Sequence, residues 1–290
     1  MIHIVTRGLR ATVQDRGRTG HARMGIPPSG PADPVALAAA LDLVGCAPDD
    51  AAIEVVGLPF VFRCDDLRIV AVTGRDVHLR LRTRMPGWTS VLARPGEDVQ
   101  VEGSPLTRFA YVAVSGGIDL PKVLGSRATY LPAALGPVPR PLAGGDHLPL
   151  GPSEAGPETA GRVIAATEYG GAARAIAGPH EGRFPEESLL RLFSEAFSVL
   201  PDSDRMGVRL GGVALAPAPH ELLTCGIVAG AVQVPRGGAP IVLLADHQTT
   251  GGYPIIATVI HDDLGIVAQA TPGEYLRFAR VTPEGAGRSP

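Results

Sequence analysis

The chain has 290 residues, 45% of them hydrophobic, enough for one large domain or two ordinary ones around a sizeable core. Its 37 glycines and 28 prolines end helices and shape turns, so many short strands fit better than a helical bundle. A formal net charge of -3 gives no electrostatic case for nucleic acid or an acidic membrane surface.

Ile2 to Thr6 reads as a short opening strand. Thr12-Val13-Gln14-Asp15-Arg16-Gly17-Arg18 follows, where Gln14, Asp15 and Arg16 can hydrogen-bond as a group or simply hold a turn. Asp33-Pro34 predicts a helix start, with Asp as cap, Pro in the first turn, an Ala/Leu-rich body to Leu43 and Gly45 beyond its end. From Ala52 the pattern changes to strands at 53–56, 60–62, 67–72, 77–81, 99–101 and 109–114, each bounded by turn residues. Trp88 beside Pro86-Gly87 reads as a packing residue. The Gly125-Ser126-Arg127 turn could hold an anion through guanidinium and backbone N–H groups, or tie two strands together.

Pro152 to Thr159 is the linker candidate, which divides the chain into domains at 1–155 and 160–290. Strand character resumes at 172–176. A second helix is expected from Pro185 to Phe197, with Leu189, Leu190, Leu192, Phe193 and Phe197 as its apolar stripe. After 255–260, His261 to Leu264 reads as a turn or short helix, and 266–269 with 275–281 as a final hairpin.

Residues 230–253 form the stretch with the densest chemistry. An apolar strand, 231–234, is interrupted by Gln233. Pro235-Arg236-Gly237-Gly238 turns the chain into a second apolar strand, 239–245. That strand runs into Asp246-His247-Gln248-Thr249-Thr250-Gly251-Gly252-Tyr253, polar or glycine at nearly every position. Such a run suits a loop that presents carboxylate, imidazole, amide and hydroxyl groups to a ligand, or a plain polar hairpin. Paired glycines allow close backbone approach.

Cys46, Cys64 and Cys225 are widely spaced, and the N-terminus lacks a secretory apolar region, so free thiols in a reducing cytoplasm are expected. No apolar run reaches membrane-spanning length. Without HxH or CxxC spacing, no zinc or other metal site is expected.

Five stretches, in order, carry a family resemblance. They are TVQDRGRTG at Thr12–Gly20 with PPSGPAD at Pro27–Asp33; VSGGID at Val114–Asp119 with LGSRAT at Leu124–Thr129; SDRMGVRL at Ser203–Leu210; the run from Gly230 to Pro254; and VIHDDL with AQATPGEYLRF, ending at Phe278. Together the chain resembles the allophanate hydrolase subunit 2 family, also called biotin-dependent carboxyltransferase or urea amidolyase-related, which includes KipA and the C subunit of prokaryotic 5-oxoprolinase. His247 stands where that family often has Arg or Gly.

The resemblance implies a mainly β fold, with two cyclophilin-like β-barrel domains carrying about one helix each. It implies a heteromer with a KipI-like (allophanate hydrolase subunit 1) partner and the LamB/YcsF-type A subunit of 5-oxoprolinase, opening 5-oxoproline to glutamate with ATP. The alternatives it carries are carboxyl transfer from biotin to urea or a related amide, and a non-catalytic KipA-like regulatory partner. Lys122, the sole lysine, lies in Pro-Lys-Val and lacks a biotin-attachment context. No cofactor is therefore expected to be covalently bound; ATP would act at the level of the complex, or carboxybiotin would come from a partner. Amide chemistry needs oxyanion donors, a proton carrier and anion holders. Asp246, Gln248, Thr249 and Tyr253 are the candidate catalytic groups. Gln14, Asp15, Arg16, Arg127, Arg205, Gln233, Thr250, Gly251 and Gly252 are the candidate substrate-binding groups for a small-molecule amide. Arg205 following Asp204 serves equally as a structural ion pair, and Tyr253 as a cap on a barrel.

Overall fold

The computed structural model describes residues 1–153, 156–216 and 222–286. Residues 154 and 155 of the expected linker lie outside the described residues. The fold is mainly β, and the chain divides into two compact units, 1–19 with 29–167 and 20–28 with 168–290.

In the first unit the strands are hydrogen-bonded as two antiparallel sheets. The six-stranded sheet has the order His147–Leu148, Ile2–Arg7, Phe60–Cys64, Val99–Glu102, His78–Arg80, Arg84–Pro86. The five-stranded sheet runs Arg10–Gln14, Ala52–Val56, Ala110–Val114, Arg68–Gly74, Ser90–Ala93. Alternate residues of both sheets, including Ile2, Ile4, Phe60, Phe62 and Val101 from one and Val13, Ile53, Val55, Val72 and Val112 from the other, form one buried cluster. The chain changes sheets at two neighbouring corners, where Leu9 N–H reaches the carbonyls of Val56 and Gly57. Gly8 sits there at φ 67, and a Cβ on it would lie 2.0 Å from Gly57 O, so no other residue fits without moving the corner. These corners carry the chain from one sheet to the other.

Helix α1, Pro34–Leu43, starts as expected: the Asp33 side chain accepts from Ala36 N–H at 3.0 Å. It packs on strands Arg68–Gly74 and Ala110–Val114, which are therefore buried throughout.

The second unit contains a closed barrel of seven strands: Ala172–Ala177, Ile255–Val259, Ala231–Gln233, Ile241–Leu243, Gly207–Gly211, Phe197–Val199 and Tyr275–Arg280. A closed ring with an odd number of strands cannot be antiparallel throughout. The one parallel pair joins the first and last strands in sequence, with Ala172 opposite Arg277 and Ala175 opposite Arg280. Val208, Val242, Val232 and Ala257 form one cross-strand row, all fully buried, and fill the interior.

Three expectations change here. Helix α2 spans Glu186–Ser194 and stops before Phe197, because Glu195 is extended (ψ 166) and Phe197 opens a strand, its ring packed 6.0 Å from that of Phe278. Of the proposed stripe, Leu192 is buried but Leu190 is 65% exposed. The segment expected as half of a hairpin is helix α3, Leu264–Gln269, preceded by a single tight turn at His261–Asp263. Asp263 fixes that turn by accepting from the Arg174 N–H and guanidinium. Runs of four or five apolar residues do not separate strand from helix by periodicity. The strands flanking the 235–238 turn are also shorter than expected, ending at Gln233 and beginning at Ile241.

Cys46, Cys64 and Cys225 are free thiols. Among the described residues no helix is long and apolar enough to cross a membrane.

Candidate functional site

The second unit carries a cleft of about 390 Å³ on the outer face of its barrel. Its floor follows from strand periodicity. Opposite the row that fills the barrel, Arg209, Ile241, Gln233 and Ile255 are cross-strand neighbours on the other face, as are Gly207 and Leu243. Ile227 packs over Ala231, Leu243 and Ile255 and gives this floor an apolar base. The register shifts between Val232 and Gln233, where Ile256 of the neighbouring strand is the extra residue. A bulge of this kind re-aims side chains, and here it sits beside the one amide on the floor.

The polar run from Asp246 to Tyr253 is the loop that walls this cleft. Thr250–Gly251 pairs with Cys225–Gly226, and Ile227 N–H donates to Thr249 O at 3.1 Å. The loop is anchored by a buried, bidentate ion pair. Arg205 Nε donates to one Asp246 oxygen at 2.8 Å and Nη2 to the other at 3.0 Å, while Asp246 N–H donates to Arg205 O at 2.9 Å. Arg205 is thus partnered with Asp246 across the fold, rather than with its chain neighbour Asp204. The carboxylate expected to move protons has both oxygens on a guanidinium, which is the geometry of an anchor.

His247 is buried next to that anchor, and its Nδ1 donates to Gln248 O at 2.6 Å. Burial pushes its pKa below the ordinary imidazole value, against the opposing pull of that carbonyl and Asp246, so the ring is neutral at neutral pH. Gln248 and the 48% exposed Tyr253 reach the cleft. Gly251 faces its floor: a Cβ there would stand 2.7 Å from Ile227 Cδ1 and 3.0 Å from Gln233 Nε2. Gly252 and the side chain of Thr250 lie at the exposed side of the loop.

Gln248 Nε2 donates to Gln233 Oε1 at 3.2 Å. Gln233 is 1% exposed, and its Nε2 is buried with no hydrogen-bond partner. A buried amide left half-satisfied is costly and uncommon in a native interior. The rim carries Asp202, which pairs with Arg209 at 3.0 Å, and Asp204, which accepts from Met206 N–H at 2.8 Å.

The remaining candidates lie in the first unit, and all but Arg16 turn polar atoms inward. Asp15 accepts from Gly17 N–H at 2.8 Å, and from Ser126 Oγ and Arg127 N–H, each at 2.5 Å. Gln14 Nε2 donates to Thr12 Oγ1 at 3.0 Å and Thr129 O at 3.1 Å. Arg127 Nε donates to Leu120 O at 2.6 Å. Arg16 is exposed and pairs with Asp49 at 3.3 Å. These contacts tie the strand Arg10–Gln14 to the 124–129 turn.

Sequence reasoning passed over Asp202, Asp204, Met206 and Arg209. The signal was present in Gly207-Val208-Arg209-Leu210: if Val208 and Leu210 face the barrel, Arg209 must face out of it. Among the described residues no cluster of three His, Cys, Asp or Glu is arranged to hold a metal ion. Burial raises the thiols of Cys46 and Cys64 to about 11 and about 12, so neither is a ready nucleophile at neutral pH.

Residues 24–280 match the family model described as carboxyltransferase domain, subdomain A and B. The chain is 34% identical over 290 residues to the 5-oxoprolinase C subunit of Escherichia coli, covering 99% of this chain and 93% of that protein. It is 35% identical over 300 residues to the 5-oxoprolinase C subunit of Haemophilus influenzae, with 99% and 94% covered. The crystal structure of the K. lactis urea amidolyase superposes with a TM-score of 0.87 at 26% identity, covering 98% of this chain and 19% of that one. The chain therefore belongs to the carboxyltransferase domain A and B family, with 5-oxoprolinase C subunits and urea amidolyase among its relatives.

Proposed function

We propose that this chain is the C component of a heteromeric, ATP-dependent 5-oxoprolinase in the cytoplasm, acting with a KipI-like protein and a LamB/YcsF-type protein. One observation carries the reading: the two bacterial C subunits align with this chain over almost their whole lengths. The reaction adds water across the lactam C–N bond of 5-oxoproline, giving glutamate, while ATP is hydrolysed to ADP and phosphate.

The chain's own contribution is to bind and orient. Gln233, Gln248 and Tyr253 offer neutral hydrogen-bonding groups to a small amide, over an apolar floor that excludes water from one side. The Arg205–Asp246 pair holds the loop that carries Gln248 and Tyr253, and Thr249 and Thr250 fix its pairing through their backbone. The cleft does not suit ATP. Among the described residues its lining carries two carboxylates and a single guanidinium, whereas a triphosphate needs several cationic donors. ATP is assigned to the partner proteins on this ground.

The likeness to urea amidolyase favours a second reading, transfer of a carboxyl group from a partner's carboxybiotin to urea or a related amide. One experiment separates them. The three genes are co-expressed, the assembly is purified, and glutamate release from 5-oxoproline is followed with and without ATP. ATP-dependent glutamate is the expected result. Its absence, together with urea-dependent loss of carboxyl from added carboxybiotin, would replace the first reading by the second.

A further inference from the structure

We infer that Gln233 and Gln248 act together as a reader of the cis-amide edge of a small cyclic amide. Gln233 Nε2 donates to the ring carbonyl, and Gln248 Oε1 accepts from the adjacent ring N–H. The choice of 5-oxoproline as probe rests on the oxoprolinase reading; the recognition chemistry does not.

In an open-chain amide the N–H and C=O point in opposite directions. In a small lactam or ureido ring they are forced to the same side, so two neighbouring protein groups, one donor and one acceptor, can engage both. The cleft supplies that pair. The two side-chain amides are linked by a single hydrogen bond of 3.2 Å, which uses Gln248 Nε2 and Gln233 Oε1. What remains is Nε2 of Gln233, buried and unpartnered, and Oε1 of Gln248, on a residue at the exposed side of the cleft. Exchanging oxygen and nitrogen in both amides preserves the bond between them and leaves an acceptor on Gln233 and a donor on Gln248. A ring amide turned over satisfies that arrangement equally well.

Three further features support a ligand over an internal contact. The bulge at Val232–Gln233 sets an amide among apolar neighbours, where a valine or leucine would pack at lower cost. Gly251 lies against Gln233 Nε2 with no side chain between them: a Cβ there would sit 3.0 Å from that nitrogen. Arg209 lies on the same cross-strand row, two strands from Gln233, and pairs with Asp202, both side chains being exposed, so a ligand carboxylate can take the guanidinium over. The cleft volume suits a ligand of this size.

The test measures 5-oxoproline affinity by ligand-observed NMR on the full chain co-purified with its partners. Wild type is compared with Gln233→Glu, Gln233→Met and Gln248→Ala, the Met variant guarding against misfolding of the Glu variant. Each is expected to weaken binding about tenfold, the effect of losing one hydrogen bond and leaving its partner unpaired. N-methyl-5-oxoproline, which lacks the ring N–H, should lose a similar factor on wild type and no further factor on Gln248→Ala. Wild-type affinity in folded variants at both positions, or additive loss for the N-methyl compound on Gln248→Ala, overturns the inference. Glutamate release at wild-type KM in those variants would keep the oxoprolinase reading and remove the amide pair from it. Glutamine-dependent binding of 2-pyrrolidinone by an assembly that never releases glutamate would keep the amide reader and remove the oxoprolinase.

Discussion

Two polar clusters stand out in the sequence, one around Gln14-Asp15 and one around Gln233 and Asp246-Gln248, and the structure treats them differently. In the first, the Asp15 carboxylate receives three donors from its own chain, and the Gln14 amide donates twice, once to a main-chain carbonyl. In the second, a charged pair is fully consumed, but the neutral amides beside it keep a donor buried and unmatched at a cleft. A cluster whose carboxylate and donors are taken up by its own chain builds the fold, although Gln14 Oε1 there is buried without a partner. One that retains capacity at a concave surface is equipped for a ligand.

The contrast breaks most visibly at its anchor. Asp246→Ala leaves Arg205 buried without its carboxylate and should destabilise the second unit by about 3–5 kcal/mol, read by urea denaturation. Full stability with lost turnover would instead return Asp246 to the chemistry. Next in size, Asp15→Ala strips acceptors from three donors and should cost about 1–3 kcal/mol in the first unit. Affinity for lactams should not change; a matching loss of affinity would mean the two clusters serve one site.

Acid sharpens the comparison with a smaller effect. The folded pKa of His247 lies below that of the unfolded chain, about 6.5. Its stabilising contribution is present above that pH and is lost as pH falls toward the folded value, because the unfolded chain takes up the proton first. The melting temperature should drop between pH 7.5 and 5.5, and drop less in His247→Gln. An identical pH dependence in the variant would show that another group, such as His180, whose pKa burial also lowers, dominates. Smallest of all, Arg16→Ala removes a solvent-exposed partner of Asp49 and should leave the melting temperature unchanged.

Much of this was legible beforehand. The capped start of α1, the strand-rich halves and the loop after residue 245 are local patterns, and local patterns survive folding. Phe197 reads as helical because a four-residue step from Phe193 continues an apolar stripe on paper, whereas its strand partner Leu276 lies far along the chain. Arg205 was paired with Asp204 for the same reason: chain neighbours are visible in a sequence, and a partner forty-one residues away is not. The cleft itself needed the register, which decides that Arg209, Ile241 and Gln233 share one face.

The parity of the barrel carries one more consequence. Its seam joins Ala172–Ala177 to Tyr275–Arg280, so the earliest strand waits, unzipped along one edge, until the last has been synthesised. During translation that edge is an open template for other extended chains. A nascent second unit should therefore depend on a chaperone, or on prompt capture by a partner protein, more than its finished counterpart does.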